Sequence, residues 1–381
     1  MPNPNAIVST ILRFEPQLEG AVAETMRAKG GLSIHLEDGR QARVDPASPH
    51  FAEYIKILDG LSKLHSPVYF ELDPGTSFIT RLLIPHVSRV ANVRPIEEGA
   101  LSVELEISQA RHVLRKGQMD YDQLAMQLRD AKSSGKPVIV TEDDAHNIID
   151  VRPYLPSPGR PEVLLPPFPR PVPEGEIFLP SWLDELLRKL WCWCGWPWWW
   201  FRCRCISKTY AQAVFDAMKA TSCDPLTVPV PCIPFLYPDD GCFARAHEMC
   251  RLMIERGLSP RKVWIKGSLH VSTANNPQCY VNWGWHVAPT LCVRGRWFFN
   301  IETMVIDPSL FNTPVSPATW KGLQGDPGAT LSYTSADLYF HVYGDVTDPT
   351  YALTIQDLAK YRLRLQLRAI QSGPPPYTYC P

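Results

Sequence analysis

The chain has 381 residues, of which 45% are hydrophobic and 20% charged, and its formal net charge is -1. That length predicts two or three domains with a buried core, and the absence of a basic excess argues against a general nucleic-acid binder. No run approaches the roughly 20 apolar residues of a membrane span, and the opening residues MPNPNAIVSTILRFEP lack the basic and apolar regions of a signal peptide, which predicts a cytoplasmic protein or one exported without a cleaved signal. The cysteine count is eleven, an odd number that leaves at least one thiol unpaired in a monomer.

Residues 1–152 read as a separate mixed α/β domain. SPVYFEL, SFITRLLIPHV, LSVELEI and KPVIVTE carry the β-branched, alternating character of strands. YDQLAMQLRDAKSSG spaces Leu124, Met126, Leu128 and Ala131 as a short helix would, and ends in Ser-Gly. No phosphate loop, metal cluster or paired catalytic group is legible here, so the role is read as structural, regulatory or partner-binding. Residues 153–181 follow, with ten prolines between Pro153 and Pro180. Proline fixes φ and lacks a backbone donor, so this stretch reads as an extended linker.

Residues 182–205 form a Trp/Cys-rich segment. Trp182, Leu183, Leu186, Leu187, Leu190 and Trp191 have helical spacing. Beyond them Trp193, Trp196, Trp198, Trp199, Trp200 and Phe201 lie between two Cys-x-Cys pairs. Cys192, Cys194, Cys203 and Cys205 are candidates for a structural zinc site, although the spacing within each pair is narrower than usual. Disulfides in an oxidising compartment are the equal alternative. The aromatics are expected to cover something: a neighbouring domain, a partner or a membrane surface.

Residues 206–381 read as one α+β domain. Its best helix is DDGCFARAHEMCRLMIERGLSP, with Asp239 or Asp240 as cap, a stripe of Phe243, Ala246, Met249, Cys250, Met253 and Ile254, and Gly257 as its stop. Cys250 lies on the packing stripe and reads as core. Cys242 falls at the first turn, where unpaired N–H groups and the positive end of the helix dipole lower a thiol's pKa. Asp239 and Asp240 oppose a thiolate by charge, so a positive partner is required. Downstream, two β-rich runs flank RGR, with His286 on the first and Asp307 closing the second. Their facing requires a turn centred near Arg296-Trp297, a bulge, or a fold-back at Pro308. A Cys-His-Asp set supplies a nucleophile, a base and an orienting carboxylate. His247, His270 and His341 are competing histidines, and a core cysteine with a surface histidine is the plain alternative. The final helix is read from a capping-box pattern at Thr354 and Asp357, with a mobile tail behind it.

DDGCFARAHEM, WGWHVAPTL and VIDPSLF, in this order, resemble the three motif blocks of the bacterial protein-glutaminase family, enzymes that deamidate glutamine side chains in proteins. The resemblance covers roughly residues 206–345. It implies a Cys-bearing helix on an antiparallel sheet, as in papain-like proteases and transglutaminases, with Cys242 as nucleophile, His286 as general base and acid, and Asp307 as orienting carboxylate. It implies a protein or peptide glutamine substrate and no required cofactor. Trp283 and Trp285 flank His286 and are candidates for the wall of a substrate groove. Transglutaminase, cysteine peptidase and an inactive binding module are the alternative readings. Family members are secreted as proenzymes whose pro-region blocks the site, whereas this chain shows no signal peptide and a larger N-terminal region.

Overall fold

The computed structural model describes residues 6–18, 23–28, 30–155, 205–226, 232–295 and 301–381. Most of the proline-rich linker, the tryptophan cluster, and Cys192, Cys194 and Cys203 lie outside the described residues. The chain is α+β, and its contacts divide it into two units. Unit 1 comprises residues 1–165, 225–227 and 359–377, and unit 2 comprises residues 166–224, 228–358 and 378–381.

Unit 1 begins with β1 (Ala6–Glu15), α1 (Ala23–Ala28), the hairpin β2 (Leu32–Leu36) and β3 (Gln41–Val44), α2 (Phe51–Lys63), β4 (Pro67–Leu72) and β5 (Ile79–Leu83). These strands form an antiparallel sheet in the order β3-β2-β1-β4-β5. Alternation builds one face: Leu32, Ile34 and Leu36 are buried while Ser33 and His35 are not. Phe51, Ile57, Leu58 and Leu61 of α2 cover that face. The expected strand SFITRLLIPHV is two, because β5 stops before Pro85 and β6 (His86–Ser88) joins another sheet.

β7 (Val90–Pro95), β8 (Leu101–Leu105) and β9 (His112–Leu114) make a second sheet. After α3 (Tyr121–Ser134), β10 (Val138–Glu142) and β11 (Ile148–Pro153) complete a third with β6. Helix α3 ends where the Ser-Gly signal predicts, with Gly135 left-handed at φ 64°. It buries Leu124, Leu128 and Ala131 as expected, but Met126 faces solvent and Ala125 takes its place in the core.

Unit 2 contains β12 (Ile206–Ser207), α4 (Lys208–Lys219), α5 (Cys242–Glu255), β13 (Arg261–Ser272), β14 (Tyr280–Arg294), β15 (Ile301–Val305), α6 (Pro317–Leu323), β16 (Thr330–Ser335), β17 (Leu338–Phe340), β18 (Val346–Thr347) and the start of α7 (Ala352–Ser372). Its main sheet runs β12-β14-β13-β16, with β15 also paired to β14. β12 alone is parallel to its neighbour: Ile206 pairs with Val293, and this register brings Cys205 beside Cys292, to which it is disulfide-bonded. Cys205 is therefore not the fourth thiolate of a zinc site.

Cys223–Cys232 and Cys279–Cys380 are further disulfides, and among the described residues Cys242 and Cys250 are free. The tail expected to be mobile is tied down by Cys380 and by the Tyr379 hydroxyl, which donates to the Pro277 carbonyl at 3.0 Å.

Two further expectations about the end of the chain are corrected. The helix starts before Thr354, whose N–H and hydroxyl both donate to Asp348, and Asp357 accepts from the Tyr339 hydroxyl, so the capping box does not form. Residues 359–377 belong to unit 1, where Leu363 and Leu367 enter the core with Ile7, Leu58 and Phe70. The C-terminal domain therefore does not hold the whole of residues 206–381. No described helix is long and apolar enough to cross a membrane.

Candidate active site

Cys242 opens α5 behind Gly241, which is left-handed at φ 76°, a conformation that glycine adopts without Cβ strain. Glycine thus occupies the cap position. Asp240 Oδ1 accepts from the Gly241 N–H at 2.8 Å, and Asp239 accepts from the Asn276 side-chain amide. The residue at the cap position is thus Gly241 and neither of the two aspartates before it.

Cys242 is 1% exposed, and the backbone N–H of Val287, the residue after His286, donates to its sulfur. Burial pushes the thiol well above its ordinary value; the Arg245 charge opposes this, while Asp240 and Asp307 reinforce it. Burial thus works against the acidic thiol that a helix start alone implies. Cys250 is equally buried and pushed up to about 11, as a core residue.

Arg245 is the cation that the sequence reading lacked. It lies one turn after Cys242 and is 2% exposed. Its Nη1 donates to the carbonyls of Tyr237, at 2.9 Å, and Asp240, pinning the turn that presents Cys242. Its charge also acts on Asp307.

His286 is on β14, opposite Ile265 of β13. The β13–β14 register slips between Lys266 and Leu269, near Gly284 on the partner strand. The extra residue lies on β13. On β14, Trp283 and His286, three residues apart, stack with ring centroids 4.6 Å apart. Trp320 of α6 stacks on the same imidazole at 5.4 Å.

His286 Nε2 bonds Asp307 Oδ2 at 2.9 Å. The same oxygen accepts from Trp320 Nε1 at 2.9 Å, and Oδ1 accepts from the Ser309 N–H at 3.2 Å. A carboxylate only accepts, so Nε2 carries a proton, and in the neutral imidazole Nδ1 is the nitrogen with the lone pair. Nδ1 is buried and has no hydrogen-bond partner among the described residues. Burial by itself would raise the Asp307 carboxyl; the His286 charge and hydrogen bond, the Trp320 N–H and Arg245 outweigh it and hold the group below its usual range.

The pairing of His286 with Asp307 follows from register. Thr290 faces Val305 and the Ile306 N–H donates to the Pro289 carbonyl, so Asp307, just past β15, comes level with Ala288. Ala288 shares the face of His286 two residues away, which makes the two side chains diagonal neighbours.

The competing histidines have other partners. His247 meets Lys262 Nζ at 2.8 Å and is pushed down to about 3, chiefly by burial. His270 bonds Asn282 and His341 bonds Asp345. Trp283 and Trp285 are fully buried and do not line a groove. Trp283 Nε1 donates to the Asp239 carbonyl at 3.2 Å, linking the imidazole stack to the turn before Cys242. Trp320 lies in SPATWKGL, outside every motif singled out in the sequence; Arg245 was hidden as a charged residue on an amphipathic helix, although its i+3 spacing from Cys242 was readable.

Residues 211–324, which contain Cys242, His286 and Asp307, match the model of a family described as glutaminase, in agreement with the motif blocks. No curated protein matches the chain. A crystal structure of pro-protein-glutaminase aligns with a TM-score of 0.51 at 21% identity, covering 78% of this chain and 99% of that one. A crystal structure of protein-glutaminase aligns at 28% identity over 47% of this chain and 95% of that one, with a TM-score of 0.36. The NMR structure of protein-glutaminase from Chryseobacterium proteolyticum aligns at 27% identity over 46% of this chain and 94% of that one, with a TM-score of 0.37. The first likeness is one of fold, and its 78% coverage exceeds what unit 2 holds, so it takes in part of unit 1.

Proposed function

We propose that the chain is a cysteine amidohydrolase that deamidates glutamine side chains in proteins or peptides, with Cys242, His286 and Asp307 as its catalytic set on a papain-like arrangement of helix and sheet. The observation that carries this reading is the His286–Asp307 bond made through Nε2, which leaves the buried Nδ1 lone pair as a base, next in sequence to the residue whose N–H meets the Cys242 sulfur. The family match over residues 211–324 supports glutamine as substrate.

The steps follow from these groups. Nδ1 of His286 takes the Cys242 proton as sulfur attacks the glutamine Cδ. Asp307 stabilises the imidazolium. A backbone N–H at the start of α5, that of Cys242 being the natural candidate, holds the oxyanion. The imidazolium then gives its proton to the departing nitrogen, ammonia leaves, and a thioester remains. Water, activated by the same imidazole, hydrolyses the thioester to glutamate and restores the thiol. The N-terminal unit is read as a counterpart of the pro-part of the pro-protein-glutaminase that it resembles in fold. The three disulfides among the described residues fit folding in an oxidising compartment.

The test is ammonia release from a glutamine-containing protein, with Cys242→Ser expected to lower the rate by about four orders of magnitude or more. Incorporation of an added amine in place of water would identify a transglutaminase instead. No release and no acyl transfer from any glutamine protein, by chain cleaved within its linker as well as intact, would sink the reading.

A further inference from the structure

Unit 1 holds a second buried polar cluster that the active-site chemistry does not use. His112 Nδ1, Glu142 Oε2 and His146 Nδ1 converge: the two nitrogens stand 2.5 and 3.0 Å from the one oxygen, and one donor atom from each residue lies within 4.8 Å of the others. All three residues are buried. We propose that these atoms bind a first-row transition dication, with zinc the best fit.

Ligands at about 2.1 Å from zinc stand roughly 3.0–3.4 Å apart, so the His146 contact already has the right span and the His112 contact needs to open by under about 1 Å. The ring centroids of His112 and His146 are 5.7 Å apart. Two imidazoles on one metal at about 2.1 Å, splayed at a roughly tetrahedral angle, put their centroids about 5 Å apart. Two imidazole nitrogens and one carboxylate oxygen suit zinc, cobalt, nickel or iron, and do not suit calcium or magnesium, which favour all-oxygen sets.

The backbone is built to aim these groups. His112 is on β9 and Glu142 ends β10, in different sheets of unit 1. His146 sits in the turn after β10 at φ 58°, a left-handed conformation uncommon for a residue with a Cβ. Its carbonyl accepts from the Val113 N–H at 2.9 Å, which holds the turn against the residue after His112. A conformation of this kind persists where its surroundings over-determine it and clusters at functional positions.

The other carboxylate oxygen has its own partners. Glu142 Oε1 bonds His86 Nε2 at 2.9 Å and lies 3.5 Å from Arg364 Nη1. His86 and Arg364 thus orient the carboxylate from behind, as outer partners of metal ligands do. Arg364 also opposes a dication by charge, which keeps the site from being a very tight one. A bound ion would link two sheets of unit 1 and add its binding energy to the stability of that unit.

The test uses the full chain, stripped with a chelator and titrated with Co2+ under visible absorption. One equivalent is expected to produce the weak d–d bands of a nitrogen-oxygen site, without the intense thiolate-to-cobalt band of a cysteine site. Glu142→Gln and His146→Asn are the variants, the second because asparagine tolerates the left-handed backbone. Each should weaken cobalt and zinc binding by about 100-fold or more, and zinc should raise the Tm of the parent but not of the variants. The assignment is overturned if the parent shows no saturable binding, or if both variants, folded by circular dichroism, bind cobalt as the parent does.

Discussion

Asp307 in unit 2 and Glu142 in unit 1 are both buried carboxylates bonded to histidine, and both are held below their usual pKa range against the effect of burial. They differ in how many groups share the charge. Asp307 holds one imidazole, which is stacked between two indoles and keeps its second nitrogen free of partners among the described residues. Glu142 meets three imidazoles and lies near the Arg364 guanidinium. The first arrangement polarises a single proton acceptor and leaves it available, which is what a base requires. The second distributes one negative charge over several donors, which is what a scaffold or a metal ligand requires. The same local pair, His on a buried carboxylate, therefore carries no function by itself.

The largest effect that separates the two falls on Asp307. Asp307→Asn keeps the volume but removes the charge that stabilises the imidazolium, and it allows the other tautomer. The kcat for ammonia release should drop about 10^3- to 10^4-fold, with the fold retained by circular dichroism. A drop of less than tenfold would mean that Asp307 does not orient the base, and the contrast with Glu142 would collapse.

Glu142→Leu should act on stability. It strands Arg364 as a buried cation and removes the acceptor of three imidazoles, at a cost of about 3–5 kcal/mol in chelator-treated protein. The loss should show as a lower denaturant midpoint for unit 1. Adding Arg364→Met removes the stranded charge and should return much of that loss, because replacing both partners of a buried pair costs far less than breaking it. If the double variant is no more stable than the single one, Arg364 does not balance Glu142.

The contrast also explains what could be read from the sequence. The residues proposed for catalysis sit in three short blocks, and the helix bearing Cys242 was legible from its apolar stripe. What was hidden depends on register and packing. Asp307 reaches His286 only because the β14–β15 pairing sets it level with Ala288, and a one-residue slip would turn it to the other face. Trp283 stacks on the imidazole from three residues away, a contact that strand alternation does not report. The partners of Glu142 lie at positions 86, 112, 146 and 364, so only the Glu-x-x-x-His spacing of EDDAH was local. The cap position falls one residue later than Asp240, because glycine supplies the left-handed residue there. Cys205 could not be assigned a partner from spacing, since disulfide connectivity follows the fold.

The smallest effect sharpens the comparison at a single hydrogen bond. Trp320 does two things in the site: it stacks on His286 and donates Nε1–H to Asp307. Trp320→Phe keeps an aromatic face and deletes the donor, so it separates these roles. Losing one of the contacts that hold Asp307 low moves its carboxyl pKa upward. The ionised form is needed for the base, so its contribution is complete above the ordinary carboxylate range and is lost as pH falls through the folded value. Raising that value moves the acid limb of kcat to higher pH, and the variant should fail first on acidification. At neutral pH, where Asp307 remains ionised, the loss should be only about tenfold, less than the full worth of a hydrogen bond to a charged group. An unchanged acid limb with an equal loss of kcat at every pH would assign Trp320 to stacking alone.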